Sequence, residues 1–363
     1  MSAPRVSRVT IAGLTLLALQ AGAGCDSVPA VLAPPADEPA LALRTPVATP
    51  SRTLAPARPP ELPTSVAVER EPWRFAAYPG QLLKTSNYRI HTTIDFERVL
   101  ERLPLFLECA MTQYTGSLAD LPRPADPMDT FVFRDRRQWT AKTKQLLPEH
   151  AGEFENLGRG GFSTRGIAVL YYIDWAGRDR DTLAIASHEG WHQYTQSTFK
   201  NPLPIWLEEG IATYMEGYQF RRDDTGPRFE PRRNWERARA LGEALRRDRA
   251  IPLPELLRRS PQSFLAEGKD DLLTYYAQVW ALVRFLTESE NGRYRDALAA
   301  VLTDAAHGTL FSRLRRSPAV IARGGQRAMM GGRDGPWVIL AYFTTDIATF
   351  NQEYMEFARS IAR

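Results

Sequence analysis

The chain has 363 residues, a formal net charge of +4 and only two cysteines, Cys25 and Cys109. Two cysteines, one of them close to the N-terminus, exclude a disulfide-stapled framework, and a pI of about 9.1 on so small a net charge reflects abundant arginine rather than a large positive field. No nucleic-acid partner is expected on that charge, and the chain has no Gly-rich phosphate loop, no dinucleotide fingerprint and no Ser-centred nucleophile elbow.

The first residues read as an address. Arg5 and Arg8 precede a short apolar run, residues 9–19, and Ala21-Gly22-Ala23-Gly24 lead to Cys25. The run is too short for an ordinary membrane-spanning helix and has the form of a signal peptide over residues 1–24. Cys25 after small residues resembles a bacterial lipobox. That resemblance implies a diacylglyceryl anchor on Cys25, a membrane partner through it, and a place in the bacterial cell envelope; ordinary cleavage nearby and secretion is the alternative. Loss of Arg5 and Arg8 with the signal takes the formal charge from +4 to +2.

Residues 25–71 are rich in Pro and Ala, without an aromatic side chain. Such a stretch cannot bury enough surface to fold, and an extended tether is expected. Trp73 and Phe75 mark the start of the globular part. The roughly 290 residues that remain suit one or two domains, read as an α/β unit over 72–217 and a mainly helical unit over 218–363.

Within the first unit, strands are expected over 88–93 and 129–133, with an amphipathic helix over 96–114 that Pro104 can kink. Cys109 falls on the apolar face of that helix as a small buried hydrophobe, with no neighbouring base to make it a nucleophile. A buried strand follows over 167–173. The fold class is α+β: a small mixed sheet packed on helices, followed by a mainly helical C-terminal part.

The next helix, capped by Asp181 or Thr182 and running to about Ser197, carries His188-Glu189-Gly190-Trp191-His192. Histidines at i and i+4 stand one turn apart on one face, so both imidazoles can reach one zinc ion at about 2.0–2.1 Å. Glu189 lies beside them and can take a proton from a metal-activated water. Pro202 and Pro204 then break the chain, and Pro204 can open a second helix whose apolar stripe is Trp206, Leu207, Ile211 and Tyr214. Glu209 lies off that stripe, free to point at the ion. Two His and one Glu leave zinc a fourth position for water, as in catalytic rather than structural sites.

These two segments resemble the gluzincin zinc metallopeptidases, whose third ligand sits in a Trp-Leu-x-Glu-Gly-x-Ala-x-Tyr segment; here it reads Trp206-Leu207-Glu208-Glu209-Gly210-Ile211-Ala212-Thr213-Tyr214. The resemblance assigns the ligand role to Glu209 and leaves Glu208 as a solvated or outer carboxylate. Thr213, one turn on, can bond a ligand from outside or simply face solvent. A third block, Tyr276-Ala277-Gln278-Val279-Trp280, resembles the tyrosine helix of the aminopeptidase N family, which implies an oxyanion-stabilising role for Tyr276, with Tyr275 its competitor. The Lys-Gly pair of that helix is replaced by Gln278-Val279, and the Gly-x-Met-Glu-Asn segment that holds a free amine is missing. Closer, over roughly residues 80–300, is a group of bacterial secreted or lipid-anchored gluzincin-like proteins that share a Gly-Phe-x-Thr turn, a strand, the HExxH helix, the Trp-Leu-x-Glu-Gly helix and a Tyr-Ala-Gln helix.

Further helices are expected over 235–247, 254–258, 272–286, 294–302 and 347–361, with a glycine-rich loop over 324–335. Arg221, Arg222, Arg228, Arg232, Arg233, Arg237, Arg239, Arg246 and Arg247 are interleaved with acids and read as a solvated face. The functional expectation is zinc-dependent hydrolysis of a peptide or protein substrate at the envelope, with one zinc per chain. An endopeptidase is favoured, a peptide pairing along the strand at 167–173. The alternatives are a non-catalytic zinc-binding envelope scaffold and a zinc hydrolase of a non-peptide envelope amide.

Overall fold

A computed structural model describes residues 59–148, 160–173, 180–220, 226–266, 271–325 and 335–362. Residues 1–24, expected as a signal peptide, Cys25, Arg221, Arg222 and most of the glycine-rich stretch lie outside the described residues, as does the expected tether up to residue 58. The remainder of that tether meets the body: Cys109, buried in its helix, donates to the Pro63 carbonyl at 3.3 Å. Regular structure opens at Glu69, before Trp73.

Strands β1 (Glu69–Phe75) and β2 (Tyr78–Lys84) form an antiparallel hairpin, and β2 pairs antiparallel with β3 (Tyr88–Thr92). In β3, Tyr88, Ile90 and Thr92 are buried while Arg89 and His91 are half-buried, the period of two that gives a strand one core face. Helix α1 (Glu97–Gly116) crosses to β4 (Met128–Phe133), which lies parallel to β3, and Pro104 sits inside that helix. Helix α2 (Arg136–Leu146) follows, its N-cap Asp135 accepting from the Gln138 amide. Then come β5 (Gly161–Thr164) and β6 (Ile167–Tyr171), joined by the left-handed pair Arg165 and Gly166. The six strands run in the order β1-β2-β3-β4-β6-β5, mixed in direction.

Neighbouring residues of a strand face opposite sides of a sheet, and β5 shows what each side carries. Phe162 packs on Trp139 of α2, whose indole donates to the Val169 carbonyl. Ser163 points the other way and bonds Glu189 on α3 (Arg180–Thr198). Helix α3 thus lies on the face opposite α2, locked to the sheet by Gln193, which accepts from Thr130 and donates to the carbonyls of Asp129 and Gly166. Thr182 does not cap this helix; its hydroxyl bonds the backbone of Ile173, just past the end of β6.

Beyond α3 come α4 (Ile205–Met215), the hairpin β7 (Tyr218–Phe220) and β8 (Pro227–Phe229), α5 (Trp235–Arg246), α6 (Leu272–Glu288), α7 (Arg295–His307) and α8 (Ile347–Ile361). Pro204 is the N-cap of α4 rather than its first residue. Helix α6 is buried along nearly its whole length. A Cβ on Gly210 would stand 2.8 Å from the Val279 carbonyl, so the missing side chain is what lets α4 approach α6. One hydrophobic core runs through the sheet and these helices, and Tyr218 and Phe229 pack on Phe106 of α1 across the expected 217/218 boundary. The class is α+β: a six-stranded mixed sheet with a helical C-terminal part. Among the described residues, no helix is long and apolar enough to cross a membrane.

Candidate metal centre

His188 and His192 are one turn apart on α3, their ring centroids 5.0 Å from each other. Opposite them, Glu209 on α4 places Oε2 3.5 Å from His188 Nε2 and 3.6 Å from His192 Nε2. Ligands of a tetrahedral zinc with bonds of ~2.0–2.1 Å stand ~3.3–3.4 Å apart, so the observed spacing is that of donors around a common centre. All three side chains are 0% exposed, and His192 Nε2 and both Glu209 oxygens have no hydrogen-bond partner among the described residues. Buried polar atoms left unpaired are costly and rare. Three that converge fit a cation, and among the described residues this is the one group of His, Cys, Asp and Glu side chains close enough to hold one.

The far side of each imidazole is occupied too. His192 Nδ1 lies 2.9 Å from Glu208 Oε1, which also accepts from the Thr195 hydroxyl at 2.6 Å. His188 Nδ1 lies 2.9 Å from Glu216 Oε1. An ionised carboxylate only accepts, so each Nδ1 carries a proton, and Nε2 is the ring atom that each histidine turns toward Glu209. Glu208, buried, is therefore an outer carboxylate and not a solvated one. Thr213 is buried, and its hydroxyl donates to the backbone carbonyl of Glu209 at 2.7 Å, not to that residue's carboxylate.

Charge sets the protonation of these groups against their burial. Burial would raise Glu216, but Arg237 and His188 outweigh it and hold the carboxyl at about 2. For His192 burial disfavours the imidazolium, yet Glu209 and Glu208 lift it to about 10 in the metal-free chain. A cation would reverse that preference by taking the lone pair. Glu189 is raised by burial, against the lowering effect of both histidines.

Glu189 stands on the same helix, wholly buried, and the sheet shapes its seat. The Ser163 hydroxyl donates to its backbone oxygen at 2.7 Å and lies 3.1 Å from Oε2. A Cβ on Gly161 would stand 2.9 Å from Glu189 Cγ. Behind the pentapeptide, Tyr114 of α1 donates to the Ser187 carbonyl at 2.7 Å, and its Oη would be 2.6 Å from a Cβ on Gly190.

Tyr276 comes from α6, its ring 6.1 Å from that of His188 and its buried hydroxyl without a hydrogen-bond partner among the described residues. Tyr275 turns away and donates to the Arg259 carbonyl at 3.3 Å. The fold therefore brings Tyr276, not its neighbour, beside His188.

A family model described as "Protein of unknown function (DUF1570)" matches residues 182–309. Comparison with curated proteins and with solved structures finds no match. The matched stretch contains every donor and carboxylate of the centre and Tyr276, and leaves out the six-stranded sheet.

Three contributors were not read from the sequence as part of the site: Ser163, Glu216 and Arg237. Glu216 lies seven residues, two helical turns, after Glu209, a spacing that puts both on one face and could have pointed to it. The charge pattern groups Arg237 with the arginines of a solvated face. It is 2% exposed and paired with Glu216.

Proposed function

We propose that the chain is a zinc metallopeptidase of gluzincin type, acting at the cell envelope through a lipid anchor on Cys25. The observation that carries the reading is the convergence of two imidazole Nε2 atoms and one oxygen of Glu209 on a common centre, with a second carboxylate, Glu189, on the helix of the histidines. A zinc ion in that donor set supplies the Lewis acidity that makes water a nucleophile at neutral pH. Glu189 takes the proton of the attacking water and returns it to the leaving amine, a role that suits a carboxyl raised by burial. The Tyr276 hydroxyl, with no hydrogen-bond partner among the described residues, is available to the oxyanion.

An extended peptide does not have the strand at 167–173 to pair with, because β6 lies between β4 and β5 and both its edges are taken. The outer strand is β5, whose Ser163 touches the base. A peptide running beside β5 would pass Glu189 mid-chain, which favours endopeptidase cleavage.

Digestion of a peptide library by the zinc-loaded full chain, set against Glu189→Gln, tests the reading. Cleavage by the wild type that falls by about 10²–10⁴-fold in Glu189→Gln, with zinc retained, is the expected outcome. The burial of every donor favours one second reading, a zinc-binding scaffold without turnover. No cleavage by fully loaded wild type, alike in Glu189→Gln, would select it. For the anchor, lipid labelling in a bacterial host should be lost in Cys25→Ser; release of unmodified mature chain would sink it.

A further inference from the structure

Glu216 is the most heavily bonded carboxylate of the centre. Its Oε1 accepts from His188 Nδ1 at 2.9 Å and from Arg237 Nη2 at 2.9 Å. Its Oε2 accepts from Asn234 Nδ2 at 2.8 Å and from Arg237 Nε at 3.2 Å. The two arginine bonds are the forked arrangement that fixes the plane of a carboxylate as well as its position. The same guanidinium stands 5.1 Å over the Tyr276 ring. Asn234 also caps α5, accepting from the Arg237 amide, so the brace is tied to the start of that helix.

The second histidine is supported differently. Glu208 is the immediate neighbour of Glu209 on α4, and the contact shared with His192 is the Thr195 hydroxyl rather than a cation. His192 is thus held by the two helices that carry the ligands, whereas His188 depends on a residue from a third helix.

We propose that Arg237 is a positioning residue of the metal centre: through Glu216 it fixes the ring plane and tautomer in which His188 offers Nε2 to the cation. This rests on the metal-centre reading. Without the fork, Glu216 keeps only single contacts from Asn234 and His188, one on each oxygen, which hold its plane toward the imidazole less firmly. Outer partners of this kind commonly change metal affinity by about 10–100-fold.

The test uses full-length protein and Zn²⁺ alone, with Kd from competition against a chromophoric chelator and the visible spectrum of the Co²⁺-substituted form as a second readout. Arg237→Met should weaken Zn²⁺ by about 10–100-fold and shift the Co²⁺ bands. Arg237→Lys, which keeps the charge and loses the fork, should fall between. Because Arg237→Met leaves Glu216 buried without its counter-charge and can fail to fold, the double variant with Glu216→Gln accompanies it. Its Kd should equal that of Glu216→Gln alone, since the arginine acts through that carboxylate. Wild-type Kd and spectrum in Arg237→Lys, or a further loss in the double variant beyond Glu216→Gln, overturns the proposal. A wild type that takes up no Zn²⁺, or takes it up undiminished in His188→Ala/His192→Ala, instead overturns the metal-centre reading and this inference with it.

Discussion

The sheet and the C-terminal helices meet at α3 and serve it in unlike ways. From the sheet side come a serine hydroxyl and a glycine, small groups that seat Glu189 without adding charge. From the helical side come Glu209, Glu208, Glu216, Arg237 and Tyr276, which supply the third donor and nearly all the charge around both histidines. On the proposed reading, the helical side governs the hold on a cation and, through the histidines and Glu209, also bears on the charge of Glu189, whereas the sheet side touches Glu189 alone and can be altered while the donors are left in place.

The largest effect should come from the helical side. Glu209→Gln removes the charged donor and should weaken zinc by more than about 100-fold, measured by chelator competition, while Glu208→Gln should lose about 10–100-fold as an outer partner does. Equal losses, or a greater loss in Glu208→Gln, would reverse the choice of ligand. Tyr276→Phe separates the two properties within one half: zinc content should stay at the wild-type level while kcat on any peptide cleaved falls by about 10²–10³-fold. Undiminished turnover would leave Tyr276 a core residue. On the sheet side, Ser163→Ala should keep zinc affinity and slow kcat by less than about tenfold, as expected for one hydrogen bond worth ~0.5–1.5 kcal/mol. A loss of zinc in Ser163→Ala would show that the two halves are not separable.

The parts legible in the sequence are those written in local periodicity. The i, i+4 histidines, the helix at Ile347–Ile361 and the alternation in β3 follow from spacing alone, and all stand where expected. β1 and β2 escaped because their side chains mix charge, proline and glycine and lack a run of apolar alternation. β5 escaped because a four-residue strand that begins with glycine reads as a turn. Arg237 escaped for another reason: among many exposed arginines, its burial is decided by Glu216, a partner 21 residues away that no periodicity links to it. The apolar stripe of α4 left Glu209 free to act as the third donor, but only the resemblance chose it over Glu208, since neighbouring acidic residues after a proline break carry no local signature of ligation.

The pentapeptide on α3 is conventionally written with two unrestricted positions. Here neither is open: a methyl group at Gly190 would run into the Tyr114 hydroxyl, and Trp191, wholly buried, is wedged among Tyr114, Tyr194 and Phe199. A saturation library would find these two positions as intolerant as the ligands beside them, for steric reasons that have nothing to do with coordination.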